Sequence, residues 1–157
     1  MEVARVLYAM VIHEFKSEIF LPRSIEEVFA FFSDPVNLDS ITPPWLSFRM
    51  ITPRPIEIRV GTLLDYRLRI QGFPVRWRSS ITAWKPPYRF VDEQIRGPYR
   101  LWIHDHNFEP RDGGTLVGDH VRYAVPFDWL VHKLIVRPDL ERIFAYRTKS
   151  LRRRFGG

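Results

Sequence analysis

The run Trp102-Ile103-His104-Asp105-His106-Asn107-Phe108 gathers the side chains of this sequence best suited to chemistry. On a strand, residues two apart share a face. Trp102, His104, His106 and Phe108 therefore point one way, and the two aromatic neighbours make that face the inward one. On the next strand-like run, Val117, Asp119, Val121 and Tyr123 share a face, and three of the four are apolar or aromatic, which turns Asp119 inward too. A tight turn through Gly113-Gly114 sets Asp119 opposite His106. On the preceding run, Phe90, Asp92 and Gln94 form one face and Val91, Glu93 and Ile95 the other, and alternation alone does not choose between them.

A histidine beside a carboxylate is a general base near neutral pH. It suits proton abstraction from an activated carbon, as in a cyclisation or dehydration. In that reading His104 or His106 is the base, Asp92 or Asp119 orients it, Tyr123 donates a proton and Gln94 joins the polar wall. The same groups serve equally as a hydrogen-bond network that fixes strand register or ligand orientation. His-x-His with a carboxylate is also part of a metal-donor set. Two histidines and an inferred third donor fall short of a full set, so no metal and no cofactor is expected.

Much chemistry is excluded by what the chain lacks. It has no cysteine, hence no disulfide, thiolate metal site or cysteine nucleophile. It has no Gly-rich phosphate loop, nucleophile-elbow serine, zinc-protease helix or dinucleotide fingerprint. The net charge is +6, carried by 20 Arg and 4 Lys. The positive charge is spread along the chain, and no aromatic and basic residues interleave as on a single-strand-binding surface, so nucleic acid is not expected. Val6–Ile12 is too short to span a bilayer and lacks a basic leader and a small-residue cleavage site. A cytoplasmic location is expected.

The elements that must position these residues are marked by thirteen prolines, nearly all between apolar runs. Residues His13–Phe20 alternate as a strand. Ser24 with Glu27 three residues later forms a capping box for a helix carrying Ile25, Val28, Phe29 and Phe32. Ser33-Asp34-Pro35 begins a second short helix, stopped by Thr42-Pro43-Pro44. Six strand-like runs follow: Trp45–Thr52, Gly61–Gln71, Pro74–Trp84, Arg89–Arg96, Tyr99–Glu109 and Thr115–Val125. Their short connections imply an antiparallel meander. Asp128 caps a short helix carrying Trp129, Leu130, Leu134 and Ile135, interrupted at Arg137-Pro138-Asp139, where Asp139 caps a longer one with Leu140, Ile143, Phe144 and Leu151 on one side. Arg152–Arg154 complement the negative end of its dipole, and Gly156 ends it. The fold class is therefore α+β: a curved antiparallel seven-stranded sheet wrapped around a long C-terminal helix, with two short helices between strands 1 and 2. Residues 1–12 form an extension and residues 13–157 a single domain.

Over about residues 13–155 the chain resembles the START-like, or SRPBCC, superfamily, and more narrowly its bacterial polyketide cyclase/dehydrase and lipid-transport-like branch. The stretches that carry the likeness are Ile25–Phe32 with Asp34-Pro35 and Asn37-Leu38, Thr42-Pro43-Pro44, Phe90–Gln94, Gly97-Pro98-Tyr99, Trp102–Phe108, Gly113-Gly114-Thr115, Asp119–Tyr123 and Ile143–Arg147. The resemblance implies a helix-grip fold with an apolar cavity between sheet and helix, and it turns the Phe90–Asp92–Gln94 face inward.

The function expected first is binding or transport of a hydrophobic small molecule, whether a lipid, a polyketide-like or an isoprenoid compound. The expected wall comprises Tyr66, Leu68, Trp77, Ile81, Gln94, Trp102, Ile143 and Phe144, with His104, His106 and Tyr123. The second reading is a polyketide cyclase, dehydrase or aromatase using the His/Asp base. The third is a partner-binding module. Arg67, Arg69, Arg76 and Arg78 share the outer face of one hairpin, which is either a docking patch for an anionic partner, including transient contact with a membrane surface, or a solvated face. Trp45, Phe73, Tyr88, Tyr99 and Trp129 lie near turns, where they either ring a pocket mouth or cover core edges. Oligomeric state is not legible.

Overall fold

The computed structural model describes residues 10–156. The expected extension, residues 1–12, lies outside them except for its last three positions. Strand β1 (His13–Leu21) leads into helix α1 (Ile25–Phe32), then into two 3-10 segments, Pro35–Ile41 and Pro44–Leu46. Strands β2 (Arg49–Met50), β3 (Leu63–Ile70), β4 (Phe73–Lys85), β5 (Arg89–Arg96), β6 (Leu101–Arg111) and β7 (Gly114–Ala124) follow. The chain ends in helix α2 (Asp128–Val131), a π-helical turn (His132–Val136) and helix α3 (Arg137–Phe155).

The seven strands form one antiparallel sheet in the order β1-β7-β6-β5-β4-β3-β2. Strands β3 to β7 pair in sequence order through short turns, β2 joins β3 through the longer segment 51–62, and β1 closes against β7. Gly113, at φ +80°, takes the left-handed position that the β6–β7 turn requires. The β4–β5 register shifts between Arg78 and Ser79 and again between Ile81 and Ala83. Such bulges bend a sheet, and these help curl it around the helix.

Helix α1 starts where its cap sits: the Ser24 hydroxyl oxygen accepts from the Glu27 N–H at 3.3 Å. A cap of this kind is worth about 1 kcal/mol. Its apolar side buries Ile25, Val28, Phe29 and Phe31, and Phe29 meets Phe90 and Phe108 edge-on at 5.9 and 5.2 Å. Helix α3 buries Leu140, Phe144, Arg147, Leu151 and Phe155, a stripe at helical spacing. Four members of that stripe are apolar; the arginine is the exception.

Most buried apolar residues among those described fall into three groups. One lies under α1 and the end of α3, around Phe29, Phe108, Val117 and Leu151. A second joins Phe15, Val121, Tyr123 and Leu140, and a third is Leu46, Leu68 and Trp77. Burying each large apolar side chain contributes roughly 1.5–3 kcal/mol.

Two expectations need correction. Trp45–Thr52 is not a strand: Pro44–Leu46 turns as a 3-10 segment, Ser47 is left-handed at φ 45°, and only Arg49 and Met50 pair with β3. Nor does Pro138 interrupt the C-terminal helix. Residues 128–155 run on helically, with the π turn just before Pro138; Phe127 and not Asp128 stands at the N-cap of the first part, and Asp139 is not a cap. Proline cannot donate to the carbonyl four residues back, and a π turn already alters that bonding pattern. Among the described residues no helix is long and apolar enough to cross a membrane.

Candidate functional site

The inner face of β6 presents Trp102, His104, His106 and Phe108, as alternation requires. Register places His104 opposite Asp92 of β5 and Val121 of β7, and His106 opposite Phe90 and Asp119. The hydrogen bonds run diagonally. His104 Nε2 lies 2.7 Å from Asp119 Oδ1, and His106 Nε2 lies 2.8 Å from Asp92 Oδ2. The imidazoles stack at 3.7 Å between ring centres, and Phe90 continues the stack over His106 at 4.1 Å. From α3, Arg147 Nη2 donates to Asp119 Oδ1 at 3.3 Å.

Five ionisable groups this close, four of them buried and Asp92 half-buried, constrain one another. Two stacked imidazoles do not both carry charge. Burial, then the charge of His106, push the His104 pKa below its ordinary value, against the pull of Asp119. His106 goes the other way: burial opposes its charge, but Asp119 and Asp92 outweigh burial and raise its pKa. Burial likewise disfavours the charge of Asp119, yet Arg147 and the two histidines hold its pKa well below the usual carboxylate range. Asp92 is lowered against burial chiefly by His106. The consistent state has Asp92 and Asp119 ionised, His106 and Arg147 charged, and His104 neutral with its proton on Nε2. The cluster is then balanced, as burial of charge demands. Two donors remain unpartnered, His106 Nδ1 and Arg147 Nε. His106 Nδ1 sits 3.5 Å from Asp119 Oδ1, too long for a formed hydrogen bond.

Two chambers meet at this cluster. The larger, about 180 Å³, is lined by Leu46, Phe48, Leu68, Ile70, Trp77, Tyr99, Trp102, His104, Leu140, Ile143 and Phe144 among others. The smaller, about 80 Å³, is lined by Phe31, Phe32, Leu64, Ile81, Trp84 and Phe90 among others. Leu38, Ile41, Tyr66, Asp92, His106 and Arg147 line both. A charged layer thus stands between two apolar spaces. Tyr66 keeps its proton, because burial and then Asp92 raise its pKa. Its hydroxyl lies 3.4 Å from Ser79 Oγ, to which Trp77 Nε1 donates at 3.0 Å.

The structure brings together His104, His106, Asp92 and Asp119 as the sequence suggested, and it settles the ambiguous β5 face with Asp92 inward. Tyr66, Leu68, Trp77, Trp102, Ile143 and Phe144 line the larger chamber and Ile81 the smaller. Two residues stand elsewhere. Gln94 lines neither chamber and braces the β5–β6 turn, donating to the Tyr99 carbonyl at 2.7 Å and accepting from the Tyr99 N–H at 3.2 Å. Tyr123 is fully buried, and its hydroxyl meets His132 Nε2 at 2.9 Å, away from the cluster. Sequence reasoning missed Arg147, though an arginine three residues after Phe144 and four before Leu151 on an apolar stripe is a readable signal.

Asp92, His104 and His106 place donor atoms within 4.8 Å of one another, as do His13, Asp128 and His132 near the start of the C-terminal helix. Among the described residues these are the groups that could hold a cation. In the inner set the carboxylates are already balanced by Arg147 and His106. On the outer sheet face Arg78 is held by Asp65 in a two-pronged pair at 2.8 and 3.0 Å, while Arg67 stands opposite both Arg49 and Arg76.

The family model for polyketide cyclase / dehydrase and lipid transport matches residues 21–152. A search of the curated proteins found no match. Among solved structures the chain is similar to protein CV1439 from Chromobacterium violaceum, at 16% identity and TM-score 0.71, covering 92% of this chain and 97% of that one. It is similar to TTHA0849 from Thermus thermophilus, at 22% identity and TM-score 0.66, covering 91% and 97%. It is also similar to a norcoclaurine synthase point mutant from Thalictrum flavum, in complex with a transition-state analogue, at 17% identity and TM-score 0.64, covering 90% and 95%. At these identities the likeness is one of fold.

Proposed function

The chain belongs to the polyketide cyclase/dehydrase and lipid transport family, and from that premise we propose that it binds an apolar small molecule between its sheet and its last helix. The observation that carries this reading is the pair of apolar chambers on either side of one balanced polar layer. Apolar walls supply affinity and a few convergent polar groups supply orientation. The ligand that fits is apolar at both ends with a polar group near its middle, facing His106, Asp92 and Arg147. Tyr66, Leu68, Trp77, Trp102, Ile143 and Phe144 form the walls of the larger space, and Ile81 of the smaller. The test is native mass spectrometry of the purified protein, with solvent extraction of anything bound. A stoichiometric apolar passenger is expected. An empty protein whose tryptophan emission is also unmoved by a fluorescent fatty acid would overturn the reading.

One observation favours a second reading, that of a cyclase or dehydrase. His104 is held neutral with Asp119 behind it and lines the larger chamber, the arrangement a general base requires. Turnover should then rise with pH along a limb below 6.5, the ordinary histidine value. Turnover of a candidate polyketide unchanged by His104→Gln would remove this reading. Fold alone does not decide between the two, since one scaffold hosts many functions.

A further inference from the structure

The strand directions bring the β3–β4 turn, the β5–β6 turn, the end of β7 and the start of β1 to one end of the sheet. Large apolar side chains stand exposed there to an unusual degree: Phe73, Ile95, Phe127, Trp129, Leu130 and Leu134. Trp129 is 81% exposed and Phe73 74%. Leu130 and Leu134 lie one helical turn apart, and Phe127 holds a left-handed φ of 54° at the corner. The larger chamber reaches this end through Ile70, Tyr99 and Trp102. Contiguous exposed apolar surface marks an interaction site.

Interleaved with these residues are exposed cations: Arg69 and Arg76 beside Phe73, Arg96 beside Ile95, Arg100 in the β5–β6 turn, and Lys133 beside Leu134. The ion pairs of this end, His13–Asp128 and Arg137–Glu141, use none of them. Apolar tips set among unneutralised cations are what an anionic lipid surface takes up, with Trp at headgroup depth and Lys and Arg against the phosphates. A second copy of the chain fits less well, because a two-fold contact sets this cationic surface against itself.

We propose that this end of the sheet is a docking face for an anionic lipid bilayer. The Phe73 hairpin and the Phe127–Leu134 corner enter the interface while Arg69, Arg96, Arg100 and Lys133 hold the headgroups. The proposal stands apart from what fills the cavity, since docking is read without a cargo.

The test is co-sedimentation of the full chain with vesicles of phosphatidylcholine, alone or mixed with phosphatidylglycerol. Binding is expected on the mixed vesicles, weakening as salt is raised, with a blue shift of tryptophan emission. Trp129→Glu combined with Leu134→Glu should abolish binding, and Arg100→Glu and Lys133→Glu should each weaken it by about fivefold or more. These side chains are exposed, so the melting temperature should stay near that of the parent. Vesicle binding that ignores phosphatidylglycerol, or survives the Trp129/Leu134 change in a folded protein, would overturn the proposal. So would an absence of vesicle binding, including the case of a dimer in ultracentrifugation that the same double change dissolves, which would assign the face to a second copy.

Discussion

The molecule contains the same small motif twice. Inside the cavity His104 and His106 stack at 3.7 Å, and near the start of the C-terminal helix His13 and His132 stack at 3.5 Å. Each pair has a carboxylate in contact: Asp119 for the first, and Asp128 for the second, at 2.5 Å from His13. The difference lies in the surroundings. The inner pair is buried and shares two carboxylates and an arginine, whereas the outer pair is half-buried and keeps one carboxylate and the Tyr123 hydroxyl. Two carboxylates raise the His106 pKa; at the outer pair burial, then the charge of His13, lower that of His132. The motif therefore does not set the chemistry. Depth and the count of countercharges do.

Removing one carboxylate from each pair tests that claim most severely. Asp119→Ala leaves Arg147 and His106 buried beside one remaining anion, and breaking a buried pair in this way costs about 3–5 kcal/mol. Asp128→Ala, where water can enter, should cost about 1 kcal/mol or less. Equal losses in chemical denaturation would erase the distinction. Arg147→Met should cost about 2 kcal/mol, in the range of a hydrogen bond to a charged group. It should also raise the His106 pKa further, because a neighbouring cation is gone; a fall, read from the imidazole proton resonances, would mean that Arg147 does not act on this cluster.

The pH dependence separates His106 from His132 by sign. The pKa of His106 is raised, so the stability it contributes is fully present below the ordinary value of 6.5 and is lost as pH rises through the raised one. That of His132 is lowered, so its contribution is present above 6.5 and is lost as pH falls from there towards the lowered value. His106→Gln should flatten the alkaline limb of stability against pH and leave the His132 part of the limb below 6.5 in place, while the His104 part shrinks because the charge of His106 helps to lower the His104 pKa. Loss of the whole limb below 6.5 together with the alkaline one would mean the two pairs titrate as one. The smallest effect expected is from Tyr123→Phe, which removes the hydroxyl partner of His132 and should cost about 1 kcal/mol. It should leave the titration of His106 unmoved.

Most of the sheet was legible because a half-buried strand alternates, and the inner cluster was legible because His104, His106 and Asp119 obey that alternation. What escaped has a physical reason in each case. The apolar stripe marks Arg147 as buried, but its partners come only from the closure of α3 over the sheet, and closure between distant segments leaves no local pattern that names them. The continuous helix past Pro138 was hidden because its π turn has no distinct residue signature. Tyr123 shares a strand face with Asp119, but its hydroxyl reaches His132 on the following helix. Alternation gives a direction and not a partner.

Trp84 escaped for another reason. Trp77, Ser79 and Ile81 face inward, and strict alternation would carry Ala83 and Lys85 inward after them. The register shift between Ile81 and Ala83 changes the parity, and Trp84 turns in instead, to line the smaller chamber and pack on Phe29 at 5.3 Å. Strand β4 is thus read in two frames, and Thr82 is the inserted letter between them. Deleting Thr82 alone would leave Trp84 facing the cavity, because Ile81, Ala83 and Trp84 already stand opposite Asp92, Val91 and Phe90 in unbroken alternation; what it would take away is the bend, and with it the curl that folds the deep end of the sheet towards the helix.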